Sequence, residues 1–338
     1  MHDLLIKGGT VVDGTGAPGF LADVRVRDGA IVEVGASLSP DGERVVDAHG
    51  CTVAPGIIDT HTHLDGAMWW NPDLDPLPAY GNTSMVFGNC GNSIAPLAAG
   101  PQRDEIVDLL CFLEDLPLEA FHRLVPWNWE TWPEYMDALR TQPTSVHAAG
   151  YLGHLALRTY VMGAAAWERA ATDAETARMC EVLDAGLSAG ALGLSVNCFD
   201  RDRTLRLVPG YFATDDEFLA LFRVVARHRP ATVQFIIRFN DPEGSLEDTE
   251  RFARLVATAG VRAQIGSIPY NVRDDDRRPA HWELHHRLQA GGADLWPLVA
   301  FKPLAPFFGF ERSIVFQRVP AWNEVLNGPP EDKLRTLA

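Results

Sequence analysis

Thr52-Val-Ala-Pro-Gly-Ile-Ile-Asp-Thr-His-Thr-His-Leu-Asp65 is the stretch that decides how the rest of the chain is read. Val53 to Ile58 is an apolar run broken by Pro55-Gly56, and it ends in Asp59, His61 and His63. In an extended strand, residues i and i+2 point to the same side. Two imidazoles so placed can grip one divalent metal ion from one direction. A parallel barrel keeps its chemistry at the carboxyl ends of its strands, so a ligand pair there has a place to work. Two ordinary histidines closing a strand are the plain alternative, but the whole run is far more specific than two isolated histidines.

On the amino-terminal side, residues 3 to about 55 read as short strands. Leu4-Leu-Ile-Lys-Gly-Gly-Thr-Val-Val has β-branched runs split by a Gly8-Gly9 turn. Ala22 to Val32 alternates polar and apolar residues about an Asp28-Gly29 turn, and Arg44 to Val53 continues the pattern. Nothing in this small β-sandwich domain, residues 1–55, looks reactive. After Pro55 short apolar strands alternate with amphipathic helices. Strands are expected at Thr83–Gly88, Ser145–Tyr151, Leu192–Val196, Ala231–Ile237, Val261–Ile265 and Asp294–Ala300. Helices are expected at Gln102–Leu116, Thr172–Ala189, Asp215–His228, Leu246–Ala259 and His281–Ala290. Thr172 with Glu175 three residues later reads as a capping box, and Gly190 ends that helix. This alternation means an α/β fold with a parallel sheet. A (β/α)8 TIM-like barrel takes about 250 residues, and residues 56–338 supply roughly that.

A second chemical signal follows the strand ending at Phe87: Gly88-Asn-Cys-Gly-Asn92. The glycines let the backbone bring Cys90 into a crowded site, and a soft sulfur beside two imidazoles suits Zn2+. Cys90 packed as a small hydrophobe in a tight turn is the alternative.

Composition narrows the partners. The chain has 338 residues, 46% hydrophobic, enough for a large core. Its 29 Lys+Arg against 45 Asp+Glu give a formal charge of −16, which argues against nucleic acid or an anionic membrane as partner and leaves a homo-oligomer open. No run of about 18 apolar residues is present. The start, Met1-His-Asp-Leu-Leu-Ile-Lys, has no basic leader, and the five cysteines are scattered and odd in number. A reduced cytoplasmic setting is therefore expected.

The Leu-Ile-Lys-Gly-Gly-Thr-Val-Val-Asp-Gly-Thr-Gly start, the Pro-Gly-Ile-Ile-Asp-Thr-His-Thr-His-Leu-Asp run and Gly-Asn-Cys-Gly-Asn-Ser-Ile-Ala-Pro resemble the D-aminoacylase (N-acyl-D-amino-acid deacylase) branch of the amidohydrolase superfamily. The interval of 27 residues from His63 to Cys90, Gly190-Ala-Leu-Gly-Leu-Ser195 and Pro209-Gly-Tyr-Phe-Ala-Thr-Asp-Asp-Glu217 are similar to family landmarks. The resemblance implies a metal-bearing barrel with a small β-domain, one or two Zn2+ ions, and hydrolysis of a linear, non-peptide C–N bond in a small-molecule amide. It places metal ligands at His61, His63 and Cys90.

The resemblance also implies two later histidines, in Thr-His-x-Arg and Ser-His-x-Lys motifs, and a late Asp. Here Gln234-Phe-Ile-Ile-Arg-Phe-Asn240 keeps Arg238 but has Ile236 at the histidine position, and Ser267 and Pro269 replace the second motif's His and Lys. No Gly/Ser-Asp-Gly run follows Leu298, so the general base has no assigned residue, and a barrel incomplete at its carboxyl end is expected. His147 and His154 are candidate substitutes, and Arg158 or Arg238 could hold a substrate carboxylate. A structural His154 at a helix entry is the alternative. Asp59 and Asp65 bracket the motif, and an N-cap role or one orienting an imidazole is expected of them ahead of catalysis. His285 and His286 are expected in solvent on a polar helix, and Asp274-Asp-Asp-Arg-Arg278 in a solvated loop. Trp69, Trp70, Trp127, Trp129 and Trp132 could wall an acyl pocket or simply pack. Cyclic-amide hydrolysis would call for a barrel-strand lysine, and Lys302 lies far along the chain. Two functions compete: a zinc-dependent amidohydrolase, or a catalytically impaired relative that binds metal or serves as an assembly subunit.

Overall fold

A computed structural model describes residues 3–238, 241–266, 277–298, 314, 317 and 319–337. The chain divides into two units, Met1–Ile57 and Ile58–Ala338. In the first, β1 (Leu4–Val11) is antiparallel to β2 (Phe20–Arg27), which is antiparallel to β3 (Ala30–Gly35). Asp28 and Gly29, with φ of 50° and 78°, form the two-residue turn expected there. β4 (Arg44–Asp47) and β5 (Thr52–Val53) pair parallel with β1. Gly8-Gly9 is not a turn. β1 runs through it, and the register against β2 shifts between Ile6 and Gly9, which is a bulge. The buried Asp23 carboxylate pins that bulge by accepting from the Gly8 amide at 2.8 Å, and it meets Lys7 at 3.3 Å. The expected sandwich is, among the described residues, one mixed five-stranded sheet.

The second unit alternates strands and helices. β6 (Ile57–Asp59), β7 (Asn82–Phe87) and β8 (His147–Gly150) form a three-stranded sheet. β9 (Leu152–Gly153), β10 (Gly193–Val196), β11 (Thr232–Phe235), β12 (Arg262–Ile265) and β13 (Leu295–Pro297) form a five-stranded parallel sheet in chain order. Only Tyr151 separates β8 from β9, and its amide donates to Phe87 O at 3.0 Å. Strands β7 to β13 are thus sequential neighbours, as a parallel α/β pattern requires.

The helices are α1 (Pro101–Leu113), α2 (Leu118–Leu124), α3 (Trp132–Thr141), α4 (His154–Met162), α5 (Asp173–Ser188), α6 (Asp215–Arg227), α7 (Pro242–Ala259), α8 (Arg277–Ala290), α9 (Pro320–Asn327) and α10 (Pro330–Leu337). Thr172 and Glu175 form the expected capping box on α5. α7 starts four residues earlier than its apolar pattern suggests, because Asp241 accepts from the Gly244 amide and Pro242 suits the first turn. Phe218, Phe222 and Phe252 from α6 and α7 are buried, and Phe252 stacks on Phe235 of β11 at 4.6 Å. Each such ring contributes about 1.5–3 kcal/mol of burial. Trp132 and Trp129 are buried and Trp69 stacks on Trp129 at 5.1 Å, so these tryptophans serve the core.

His285 corrects an expectation. His286 is exposed, but His285, about 100° round the helix, is buried with neither ring nitrogen partnered among the described residues. Burial, then His281 and His286, push it down to about 4 from 6.5. The unfolded chain therefore binds more protons between those values, so this residue's contribution is present above pH 6.5 and lost as the pH falls toward 4. His285→Leu should flatten the loss of urea resistance between pH 7 and pH 5. An unchanged pH slope would contradict this.

Candidate metal centre

β6 ends at Asp59, and the chain continues extended through His61 and His63. Asp59 Oδ1 accepts from the His61 amide at 3.3 Å, and Thr62 bonds Val86 O of β7 through both its amide and its hydroxyl at 2.9 Å. Thr62 is thus anchored to β7, and the flanking histidines project together, their rings edge to face at 5.4 Å. Cys90 comes from the turn after β7. One ligand atom from each of His61, His63 and Cys90 lies within 4.8 Å of the others, and His61 Nε2 is 3.1 Å from Cys90 Sγ.

The turn carrying Cys90 is built to a tight tolerance. Gly88 has φ of 71°, and a Cβ there would sit 2.1 Å from Tyr151 O. Gly91, φ 72°, would place one 2.8 Å from the Asn197 amide nitrogen. Neither position admits another residue. Cys90 itself has φ of 54°, and Gln234 Oε1 holds it there by accepting from its amide at 2.7 Å. Ser195 Oγ accepts from the Gly91 amide at 3.0 Å and donates to Gly88 O at 2.5 Å. Asp65, fully buried, accepts from the Gly88 amide at 3.3 Å, so it ties the histidine segment to the cysteine turn instead of orienting an imidazole.

Electrostatics favour a cation. Burial pushes His63 down to about 3, with His61 adding to the shift, and burial lowers His61 too. Both imidazoles are therefore neutral with lone pairs to offer, the form that binds metal. Burial, followed by Glu114 and Asp200, raises the Cys90 thiol well above its usual value. Burial also lifts Asp65 to about 7, and Glu114 to about 8 with help from Asp200 and Asp65. Crowded protons of this kind are what a divalent ion displaces. The donor set, two imidazoles and a thiol, together with the unpartnered buried Nδ1 of His63, fits a zinc-type ion.

Residues 44–299 match the amidohydrolase family. The chain belongs to that family. It is 36% identical over 227 residues to the D-aminoacylase of Alcaligenes xylosoxydans xylosoxydans, covering 67% of this chain and 42% of that protein. To the N-acyl-D-aspartate deacylase of the same organism it is 40% identical over 197 residues, 58% of this chain and 37% of the other. The chain thus spans about two fifths of the length of these curated relatives. The crystal structure of N-acyl-D-glutamate deacylase from Bordetella bronchiseptica, complexed with zinc and a phosphonate inhibitor, superimposes with a TM-score of 0.73 at 29% identity. That match covers 89% of this chain and 59% of the other, so this amidohydrolase chain has the fold of those deacylases.

The three residues expected to bind substrate are all engaged within the fold. His154 and Arg158 are fully buried on α4. His154 Nε2 lies 2.8 Å from Glu217 Oε1, and Arg158 pairs with Glu217 Oε2 and donates to Arg169 O at 2.8 Å. Both belong to a buried cluster that joins α4 to α6. Arg238 is no freer. It grips both Asp248 oxygens at 2.9 and 3.0 Å and also meets Asp241, Glu247 and Gly244 O. Its guanidinium is consumed at the start of α7.

His147 is exposed at the start of β8, the end of the strand away from Cys90. Ile236 is buried just beyond β11, an apolar side chain at the histidine position. Ser267, Pro269, Lys302 and the side chains of Asp274–Arg278 lie outside the described residues. Sequence reading missed Gln234 and Glu114. Gln234 carried a signal, a lone polar residue inside the apolar strand Val233-Gln-Phe235. Glu114 carried none, since only the fold brings the end of α1 to His63.

Proposed function

We propose that this chain is a zinc-dependent amidohydrolase acting on a linear amide, an N-acyl amino acid being the substrate class the relatives' names support. In this reading the parallel strands belong to a (β/α)8 barrel, preceded by a small β-domain over residues 1–55, and the protein works in a reduced cytoplasmic setting. One observation carries the proposal: His61, His63 and Cys90, from two separate strand ends, bring three metal donors within 4.8 Å. These residues would hold the ion, which, when bound, lowers the pKa of water and polarises the scissile carbonyl. Around them the chain's own groups set the conditions. Burial keeps the imidazoles neutral, Gln234 and Ser195 fix the thiol-bearing turn, and Asp65 locks that turn to the histidine segment.

The test is hydrolysis of a panel of N-acetyl amino acids, both enantiomers, by protein purified metal-free and then loaded with zinc. Release of free amino acid that depends on zinc, and is lost in His63→Ala, is the expected result. A second reading, metal binding without turnover, is favoured by Ile236, which cannot ligate. Full zinc occupancy with no hydrolysis across the panel would decide for it.

A further inference from the structure

Between β10 and Pro209 the chain forms a hairpin, residues 198–208, outside every motif read from the sequence. Its feet meet at Asn197, which is fully buried. The Asn197 carboxamide accepts from the Phe199 and Asp200 amides at 3.1 and 3.3 Å and donates to Asp200 Oδ2 at 2.7 Å. A Cβ on Gly210 would collide with Asn197 O, so the returning foot packs on the outgoing one. Between the feet Arg201 bridges Leu207 antiparallel, and buried Asp202 closes the turn by accepting from the Thr204 and Arg206 amides at 2.8 and 3.0 Å. Gln317 braces the same turn, donating to Arg201 O and Asp202 O at 3.0 and 2.9 Å.

The hairpin starts beside one candidate ligand and ends on the helix that leads to another. The Asn197 amide nitrogen lies 2.8 Å from where a Cβ on Gly91 would sit, next to Cys90. Asp200 is near enough for its charge to act on both Cys90 and Glu114. At the far end Arg203 Nε is 3.3 Å from Asp108 Oδ2, and Arg206 Nη1 is 3.4 Å from Glu105 Oε1. Both carboxylates belong to α1, the helix whose end sets Glu114 Oε1 3.4 Å from His63 Nε2. The hairpin therefore spans from the Cys90 turn to the helix on the His63 side.

The two attachments differ in strength. The feet are buried and hydrogen-bonded. The ties to α1 lie in water, with the Arg203 and Arg206 side chains 50% and 42% exposed. Exposed pairs of this kind are weak and are screened by salt. Arg206 also lies over the Trp167 ring at 3.9 Å, which steadies the stem while the two ion pairs hold the tip. A stiff body rooted at one end and lightly tied at the other can swing about its root.

We propose that the hairpin 198–208 is a salt-sensitive gate over the metal centre, latched to α1 by Arg203–Asp108 and Arg206–Glu105. It controls passage to His61, His63 and Cys90 without touching the ion. The proposal rests on the metal-site reading above. Cobalt is the probe, because a thiolate-bound Co2+ gives a near-ultraviolet charge-transfer band without any need for activity. In the parent chain that band should appear at one ion per chain and vanish in Cys90→Ala. Stopped-flow mixing with Co2+, then with a chelator, reads the rates of uptake and loss.

Arg203→Ala combined with Glu105→Gln removes both ties and leaves Arg206 bonded to Asp202 within the hairpin. In that variant uptake and loss should both run at least about 3-fold faster than in the parent, with affinity unchanged within about 2-fold. A non-coordinating salt at about 0.5 M should shrink the difference between the two proteins. The urea midpoints of the metal-free proteins should match, excluding misfolding. Parent-like rates in the variant overturn the gate while leaving the three-residue site intact. Faster loss without faster uptake overturns it too, since the hairpin would then belong to the binding site itself. Absence of the band in the parent takes down the site reading and this inference with it.

Discussion

Cys90→Ala should fold, and should bind Zn2+ or Co2+ on the order of 1,000-fold more weakly than the parent chain. The thiolate is the one charged donor among the three, and sulfur is the ligand that most favours zinc over harder ions. Its position is expensive to build. The residue sits at φ of 54° between two glycines that tolerate no Cβ, and Gln234 is committed to its amide. Alanine leaves that backbone in place and removes a buried thiol that burial and two carboxyls oppose ionising. The metal-free variant should therefore be within about 1 kcal/mol of the parent by urea unfolding. Chelator competition on both proteins reads the affinity. Equal affinities would mean that the turn is built for packing alone.

Glu217→Gln should destabilise the fold by about 3–5 kcal/mol, the usual cost of leaving a buried charge without its partner. Arg158 and His154 are both 0% exposed, and Glu217 is the counter-charge of Arg158 and the carboxylate that His154 contacts. Glutamine keeps the shape, so the loss is electrostatic. The same cluster sets an acid limit. Burial raises the Glu217 carboxyl, but His154 and Arg158 outweigh it and hold it below 4.5. The Glu217 contribution is thus complete above pH 4.5 and is lost as the pH falls through its lower folded value. Burial also holds His154 below 6.5, against the pull of Glu217, so an unfolded chain takes up a proton there that the folded one refuses. Stability should begin to fall below pH 6.5 and fall further below 4.5. A double variant, Arg158→Leu with Glu217→Leu, should recover much of the loss. A cost under about 1 kcal/mol for Glu217→Gln would remove the cluster from the account.

Local signals were legible and non-local ones were not. Asp28-Gly29, the Thr172–Glu175 capping box and the strands β7, β8 and β10 to β13 are set by neighbouring residues, and each appears where its pattern places it. Gly8-Gly9 reads locally as a turn, but Asp23 reaches over from β2 and holds it as a bulge. His154 and Arg158 look like substrate groups from their types, and only the arrival of Glu217 from 59 residues downstream of Arg158 spends them inside the fold. His285 and His286 are adjacent in sequence and opposite in environment, because helix packing, not composition, chose the buried face. At the candidate centre the two histidines and the cysteine were visible as motifs. Glu114 and Gln234 were not, since their relation to Cys90 exists only once α1 and β11 are in place.

Zinc K-edge X-ray absorption on the zinc-loaded chain tests the central claim most directly. One sulfur at about 2.3 Å with nitrogen and oxygen donors at about 2.0–2.2 Å is the expected first coordination sphere. A zinc environment without sulfur, or a folded chain that retains no zinc at all, would contradict the account.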